Sequence, residues 1–170
     1  FWIVDPIDGT TNFLHGIPHF AISIALRSKN EIISGVIYDP IKDEMFYAEK
    51  NNGAYFNNKK IKVSGRKKIQ DCLFVSGGLD KDRFKDSLED KILIRKSGSA
   101  ALDMAYVAAG RYDGYFQKNL NIWDIAAGII ILKEAGGKIN DLDLNKNDKI
   151  NIIASNFVIN DKLLDILNSN

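Results

Sequence analysis

The sequence predicts an α+β fold, with an antiparallel meander in the first half and strands alternating with helices in the second. In the first half, closely spaced runs of alternating apolar residues are separated by short turns, a spacing typical of a meander. In the second half, short apolar runs alternate with helical patterns rich in alanine and isoleucine. The pattern changes near residues 64–71, which predicts one lobe at 1–65 and another at 66–170.

The first lobe is predicted to begin with a buried strand at Trp2, Ile3 and Val4. Asp5-Pro6 ends this strand, because proline keeps the residue before it out of the helical region. "TTNFL" then forms a short helical segment. The rest of the lobe is predicted to be antiparallel, with strands at 19–28, 31–40 and 44–50 and a hairpin at 53–63 whose tip is Asn57-Asn58.

The second lobe is predicted to alternate strands and helices. Its strands are "CLFVSGG", "KILIRKSG", "YDGYFQ", "GKIND" and "INIIAS". Its helices are a polar amphipathic helix at 81–90, an alanine-rich helix at 99–111, a buried helix at 123–137 and an amphipathic helix at 161–168. Gly136-Gly137 ends the buried helix, as a left-handed C-cap requires. The polar stretch 143–151 is predicted to be a surface loop.

Composition excludes several classes of partner. Lys and Arg number 23 against 22 Asp and Glu, so the charge balance does not favour direct nucleic-acid binding or an anionic membrane. No apolar stretch is long enough to span a bilayer. Cys72 is the single cysteine and cannot form a disulfide within the chain, which favours a reducing, cytoplasmic location. The chain opens inside a strand and without Met, so we expect it to be an N-terminally truncated fragment.

The stretch "DPIDGTTNF" at residues 5–13 places two carboxylates and two hydroxyls where a strand ends and a helical turn begins. Carboxylate oxygens hold hard cations, and the amides of a first helical turn attract anions. Such a cluster suits metal-assisted hydrolysis of a phosphate ester. A second interpretation is a plain Asp5-Pro6 turn followed by an N-cap at Asp8. The spacing alone leaves both interpretations open.

Three separated motifs together resemble one family. "DPIDGTTNF", "RKSGSAALDMAYVAAGRYDGYF" and "NIWDIAAGIIILKEAGG" are similar to the inositol monophosphatase family, and most closely to its bacterial inositol-1-monophosphatase branch. The resemblance implies a layered αβαβα sandwich of the sugar-phosphatase superfamily, from which this chain lacks the N-terminal helices and strands. It also implies Mg²⁺ dependence, lithium sensitivity and a homodimer of the complete protein.

The resemblance assigns a metal site residue by residue. Asp5 would be shared between two magnesium ions, and the backbone carbonyl of Ile7 would reach the first ion. Asp8 and Asp124 would bind the second ion, although an aspartate at the start of a helix is by itself more often a cap. Thr10 would be the catalytic residue that orients the attacking water.

The resemblance also assigns the substrate side of the site. Phosphate and substrate would be held by Gly9, Thr10, Arg95, Gly98, Ser99, Ala100 and Gln117. Many family members have glutamate where Gln117 stands, so the preference for inositol is open. We expect Asp39, Asp141 and Asp143 to be solvated in turns. Two interpretations of Asp103 stay open: a site residue, or a surface or interface position, which is more common one turn into a helix.

The predicted activity is hydrolysis of a small polyol phosphate, most specifically inositol 1-phosphate. Histidinol phosphate and a nucleotide 3'-phosphate are alternative substrates. The resemblance implies that a glutamate ligand of the first metal and a partner of Thr10 lie upstream of Phe1, so we expect the 170-residue chain alone to be inactive. Bacterial relatives also act as accessory factors of transcription antitermination, which is an alternative, non-catalytic role.

Overall fold

The computed structural model describes residues 1–78, 92–144 and 149–168, and these residues form two sheets and four α-helices. The helix predicted at 81–90 lies outside the described residues. The first sheet is an antiparallel meander, which confirms the prediction for the first half. Its strands follow chain order: β1 (Trp2–Asp8), β2 (Ala21–Ser28), β3 (Glu31–Asp39), β4 (Glu44–Glu49), β5 (Ala54–Phe56) and β6 (Lys59–Ile61).

Strand β1 differs from its prediction in two ways. It continues through Pro6 to Asp8 instead of ending at Asp5, and α1 (Thr10–Leu14) follows it. Only Ile3 of the three apolar residues is buried, since Trp2 is 65% and Val4 50% exposed. Successive side chains of a strand point to opposite faces. Ile3 therefore faces the core, whereas Trp2 and Val4 lie on the open face of the sheet.

The second sheet is mixed. Its strands are β7 (Leu73–Ser76), β8 (Leu93–Arg95), β9 (Gly114–Leu120), β10 (Lys138–Ile139) and β11 (Ile150–Ser155), in the order β10-β11-β9-β7-β8. Strand β7 runs parallel to β8 and β9, and the other pairs are antiparallel. Ile150 is buried and opens β11, so the predicted surface loop at 143–151 was too long.

Helices α2 (Ala100–Ala108) and α3 (Ile122–Glu134) lie between the two sheets and are buried on almost every side. Gly35 of β3 lets α3 approach closely, because a Cβ there would lie 2.9 Å from the Cα of Ala127. Helix α4 (Asn160–Asn168) packs against β11 and supplies Leu163 to a smaller apolar cluster. Within the described ranges, no helix is long and apolar enough to cross a membrane.

The layers therefore run sheet, helices, sheet, helix, which agrees with the predicted αβαβα sandwich over the described residues. The two sheets divide the chain near the predicted boundary at residue 65. However, one apolar cluster contains buried residues of both halves, including Ile3, Ile37, Tyr115, Ile131 and Ile152. The two halves share a core, and the division into separate lobes stays a prediction.

Candidate metal and phosphate site

Three carboxylates from two separate elements converge at one point. Asp5 and Asp8 come from β1 and Asp124 from the first turn of α3, and one oxygen of each lies within 4.8 Å of the others. Hard oxygen ligands of this kind suit Mg²⁺ better than softer metals. The residues therefore form a donor set that fits a hard divalent cation.

A β-bulge brings Asp5 and Asp8 to the same side. Asp5 pairs with Ser23 of β2, and Asp8 pairs with Ala21. The chain therefore advances three residues on β1 but only two on β2. Residues three apart in a regular strand would point to opposite faces, and the one extra residue of a bulge removes that difference. The Ile7 amide donates to Asp5 Oδ1 at 3.0 Å and thereby orients the first carboxylate.

Asp8 ties this bulge to helix α2. The hydroxyl of Ser99 and the amide of Ala101, at 2.9 Å, both donate to Asp8 Oδ2. The N-cap of α1 is Gly9, with φ +89°, and not Asp8. The structure therefore excludes the interpretation of Asp8 as a cap of the helix that follows it. The buried carboxylate instead contacts the start of a helix more than ninety residues later in the sequence.

Asp124 has two roles at once. The Asn121 amide donates to Asp124 Oδ2 at 2.7 Å, which closes a capping box at the start of α3. The same carboxylate lies within the three-acid cluster. The prediction of a metal ligand and the alternative of a helix cap are thus compatible, because a carboxylate has two oxygens and the cap engages one of them.

The cluster carries unbalanced negative charge. Burial raises the pKa of Asp8 to about 6 even though Ser99 and Ala101 donate to it, and the neighbouring charges of Asp5 and Asp124 add to the rise. Burial likewise raises the pKa of Asp5, with a further contribution from Asp124. A bound divalent cation would relieve this repulsion, because an opposite charge favours the ionised carboxylate.

A cavity of about 540 Å³ adjoins the acids. It is lined by Asp8, Thr11, Asn12, Gly77, Lys96, Ser97, Gly98, Ser99, Ala100, Asp103, Gln117, Leu120 and Asp124. The predicted substrate residues Gly98, Ser99, Ala100 and Gln117 are among them. Arg95 is exposed at the end of β8 and is not part of this lining, whereas its neighbour Lys96 is.

Thr10 and Ile7 are joined directly. The Thr10 hydroxyl donates to the backbone carbonyl of Ile7 at 3.0 Å, and Thr10 is exposed to solvent. Both residues belong to the turn that holds the two carboxylates of β1. The structure thus places the predicted catalytic hydroxyl beside the carbonyl that was predicted to reach the first metal.

Asn12 is a site residue to which sequence reasoning gave no role. Its buried side-chain amide donates to His19 O at 2.7 Å and to Ser97 O at 2.9 Å, which fixes the turn after β1 to the turn before α2. Gly98 has φ +91°, and a Cβ there would lie 2.8 Å from Asn12 Nδ2. The position of Asn12 inside the "DPIDGTTNF" motif was the available signal.

Asp39 was predicted to be solvated and Asp103 to lie at a helix surface or an interface, and both are buried within the chain. Asp103 is 1% exposed and Asp39 is fully covered, whereas Asp141 and Asp143 are exposed as predicted. Burial raises the pKa of Asp103 to about 7, although Ser97 donates to it. Helix α2 is apolar on nearly all sides, which is typical of a buried helix, and this pattern could have identified Asp103 as buried. Asp39 is neutralised by Lys42.

Comparisons with known proteins agree on one family. A model of the inositol monophosphatase family matches residues 1–169. The chain is 44% identical over 174 residues to an inositol-1-monophosphatase of Mesorhizobium japonicum, covering 96% of this chain and 65% of that protein. It is 40% identical over 168 residues to the Nus factor SuhB of Pseudomonas aeruginosa, covering 91% and 62%.

A solved structure is also similar over almost the whole chain. The crystal structure of the extragenic suppressor protein suhB from Bartonella henselae superposes with a TM-score of 0.88 and 49% identity, covering 98% of this chain and 71% of that one. The chain spans less than two thirds of the length of the two curated relatives.

Proposed function

Because this chain belongs to the inositol monophosphatase family, we propose that it hydrolyses a small polyol phosphate, most specifically inositol 1-phosphate, with Mg²⁺ as cofactor. The observation that carries the proposal is the convergence of Asp5, Asp8 and Asp124 beside a polar cavity. Magnesium held there would neutralise phosphate charge and lower the pKa of a water molecule.

The chain's own residues have separable tasks in this proposal. Asp5, Asp8, Asp124 and the Ile7 carbonyl hold the cation. Thr10 orients the attacking water, since a hydroxyl that donates to Ile7 O still has lone pairs with which to accept from water. The amides of Gly9 and Thr10, at the start of α1, hold the phosphate oxygens, because first-turn amides have no partner within a helix.

The direct test measures release of inorganic phosphate. Residues that precede the corresponding motif in the Mesorhizobium japonicum relative are fused before Phe1, and the fusion is assayed with inositol 1-phosphate and Mg²⁺ beside the chain alone. We expect the fusion to release phosphate, and EDTA or Asp124→Asn to abolish the release. The chain alone should be inactive, because the resemblance assigns an upstream glutamate to the first metal.

Three results would contradict these proposals. A folded fusion that releases no phosphate would contradict the catalytic function, provided that its circular dichroism shows helices and strands. Phosphate release by the chain alone at the rate of the fusion would contradict the assignment of an upstream ligand. Release that survives EDTA would contradict the metal requirement.

Substrate preference needs its own comparison, because Gln117 stands where many members have glutamate. The same fusion is assayed with inositol 1-phosphate, histidinol phosphate and a nucleotide 3'-phosphate. We expect the highest kcat/KM for inositol 1-phosphate. A higher kcat/KM for histidinol phosphate or the nucleotide would change the proposed substrate but not the proposed phosphatase chemistry. Inhibition by lithium would support the family mechanism whichever of the three substrates is preferred.

A second candidate function rests on the relative that is named Nus factor SuhB. We propose as the alternative that the chain acts as an accessory factor of transcription, in which catalysis is not required. A pull-down of RNA polymerase and its associated factors with the Asp124→Asn variant tests this role, because such binding should not need the metal.

We also propose that the complete protein is a homodimer and lies in the cytoplasm. Sedimentation equilibrium tests the dimer, and cell fractionation tests the location.

A further inference from the structure

Ser97 and Asp103 form a pair in the cavity that the metal site does not use. The Ser97 hydroxyl donates to Asp103 Oδ1 at 2.5 Å, and both residues line the cavity. Asp103 is almost completely buried, and within the described parts of the chain its Oδ2 has no hydrogen-bond partner. A buried carboxylate with one engaged oxygen holds the serine proton firmly, because losing that bond would leave it still less satisfied.

The pairing determines what Ser97 can offer a ligand. A hydroxyl has one hydrogen and two acceptor lone pairs. Its hydrogen is engaged by Asp103, and the Ser99 amide makes only a long 3.4 Å contact to Ser97 Oγ. With its hydrogen on Asp103, Ser97 offers the cavity its lone pairs and so accepts a hydrogen bond from a ligand.

Gln117 is fixed with the opposite polarity. The Tyr115 hydroxyl donates to Gln117 Oε1 at 2.7 Å, so the amide N–H groups remain as donors. Gly77 leaves room for this arrangement, since a Cβ there would lie 1.7 Å from Gln117 Oε1. The cavity thus combines a fixed acceptor and a fixed donor with the acids Asp8 and Asp124.

We propose that Ser97, held by Asp103, is a specificity-determining residue that accepts a hydrogen bond from a hydroxyl of a bound polyol phosphate. The inference rests on the proposed phosphatase function and names the part of the substrate that Ser97 reads. A polyol presents several hydroxyls, and each of them can donate to Ser97 or accept from Gln117. Inorganic phosphate has no carbon-bound hydroxyl, so when it is bound at the three acids it lacks the polyol group from which Ser97 would accept.

Steady-state kinetics of the fusion in Mg²⁺ test the proposal, with KM for inositol 1-phosphate and the inhibition constant of inorganic phosphate as the two affinities. Ser97→Ala should weaken binding of inositol 1-phosphate about 10-fold, the effect of one lost hydrogen bond, and change phosphate binding less than about twofold. Asp103→Ala should have the same selective effect. Ser97→Thr keeps the hydroxyl and should restore the ratio of the two affinities. Asp103→Asn keeps an acceptor for the serine proton and should restore that ratio as well.

A matched control is Ser34→Ala, because Ser34 lines a separate cavity on the first sheet. It should leave both affinities unchanged. Equal weakening of both probes by Ser97→Ala, or an unchanged ratio, would overturn the role of Ser97 while leaving the proposed function standing. If the unsubstituted fusion releases no phosphate from inositol 1-phosphate, the proposed function fails; if it does release phosphate and Ser97→Ala leaves KM unchanged, only this inference fails.

Discussion

Two stretches of this chain begin with the same three residues and have different consequences. Asp5-Pro6-Ile7-Asp8 lies at the end of β1, and Asp39-Pro40-Ile41-Lys42 begins at the last residue of β3. In both, the isoleucine amide donates to the first aspartate, at 3.0 Å for Asp5 and 2.9 Å for Asp39. The local turn chemistry is therefore shared, and the fourth residue makes the difference.

The fourth residue is a lysine in the second turn and an aspartate in the first, so only the second turn contains a cation. Burial acts to raise the pKa of Asp39, but hydrogen bonds from Lys42, whose Nζ lies 2.5 Å away, outweigh it and lower the pKa. Burial raises the pKa of Asp5, and the charge of Asp124 adds to that rise. One turn contains its own cation and is a structural ion pair. The other lacks one and gains most from a cation taken from solution.

The largest expected effect comes from removing a carboxylate of the first turn. Asp8→Asn keeps an oxygen that can accept from Ala101 but loses the charge, so affinity for Mg²⁺ should fall by roughly 100-fold or more. Asp39→Asn removes a carboxylate from the second turn and should leave Mg²⁺ affinity unchanged. Isothermal titration with Mg²⁺ measures both. Equal affinities of the Asp8→Asn variant and the unsubstituted chain would remove the distinction between the two turns.

A smaller effect is expected from the second turn. Lys42→Met leaves the buried Asp39 carboxylate without its cation and should lower the free energy of unfolding by about 1 to 3 kcal/mol, less than for a fully buried pair because Lys42 is partly exposed. Urea unfolding measures the change. The matched control is Lys50→Met, which breaks the exposed pair with Glu31 and should cost less than about 0.5 kcal/mol.

Most of the fold could be predicted from the sequence, because strands and helices follow from the spacing of apolar residues along short stretches of the chain. The meander and its Asn57-Asn58 hairpin could be predicted from alternation and turn residues. The exposure of Trp2 and Val4 could not, since it depends on which face of the sheet the helices cover. Nor could the bulge between Asp5 and Asp8, because it exists only relative to the pairing with β2.

In the site, too, some residues could be predicted from the sequence and others depend on how the chain packs. Asp5, Asp8 and Asp124 follow from motif residues, and the structure brings them together. The burial of Asp103 and Asp39 was not predicted. For Asp103 it depends on packing with residues far away in the sequence, and for Asp39 on its ion pair with Lys42, three residues later. Arg95 stays a prediction as a substrate residue, and its neighbour Lys96 is the one of the two that lines the cavity.

A third expected effect is a dependence of stability on pH, and its sign separates the unpaired buried acids from Asp39. The native pKa values of Asp8, about 6, and Asp103, about 7, lie above the unfolded value near 3.8. Between about pH 4 and 6 the native state therefore binds more protons, and its free energy of unfolding should fall as pH rises, by up to about 1.4 kcal/mol per unit for each group.

Urea unfolding in EDTA at several pH values across this window measures the slope. Asp103→Asn should reduce it, since that side chain no longer takes up a proton on folding. Mg²⁺ should reduce it further, because metal binding favours the ionised form of Asp8. Asp39 cannot produce the slope: its native pKa is lowered, so its contribution is lost only as the pH falls below its ordinary value of 3.8. Stability that rises with pH in EDTA across this window would mean that these buried acids are balanced by a positive charge of the protein, as Asp39 is by Lys42.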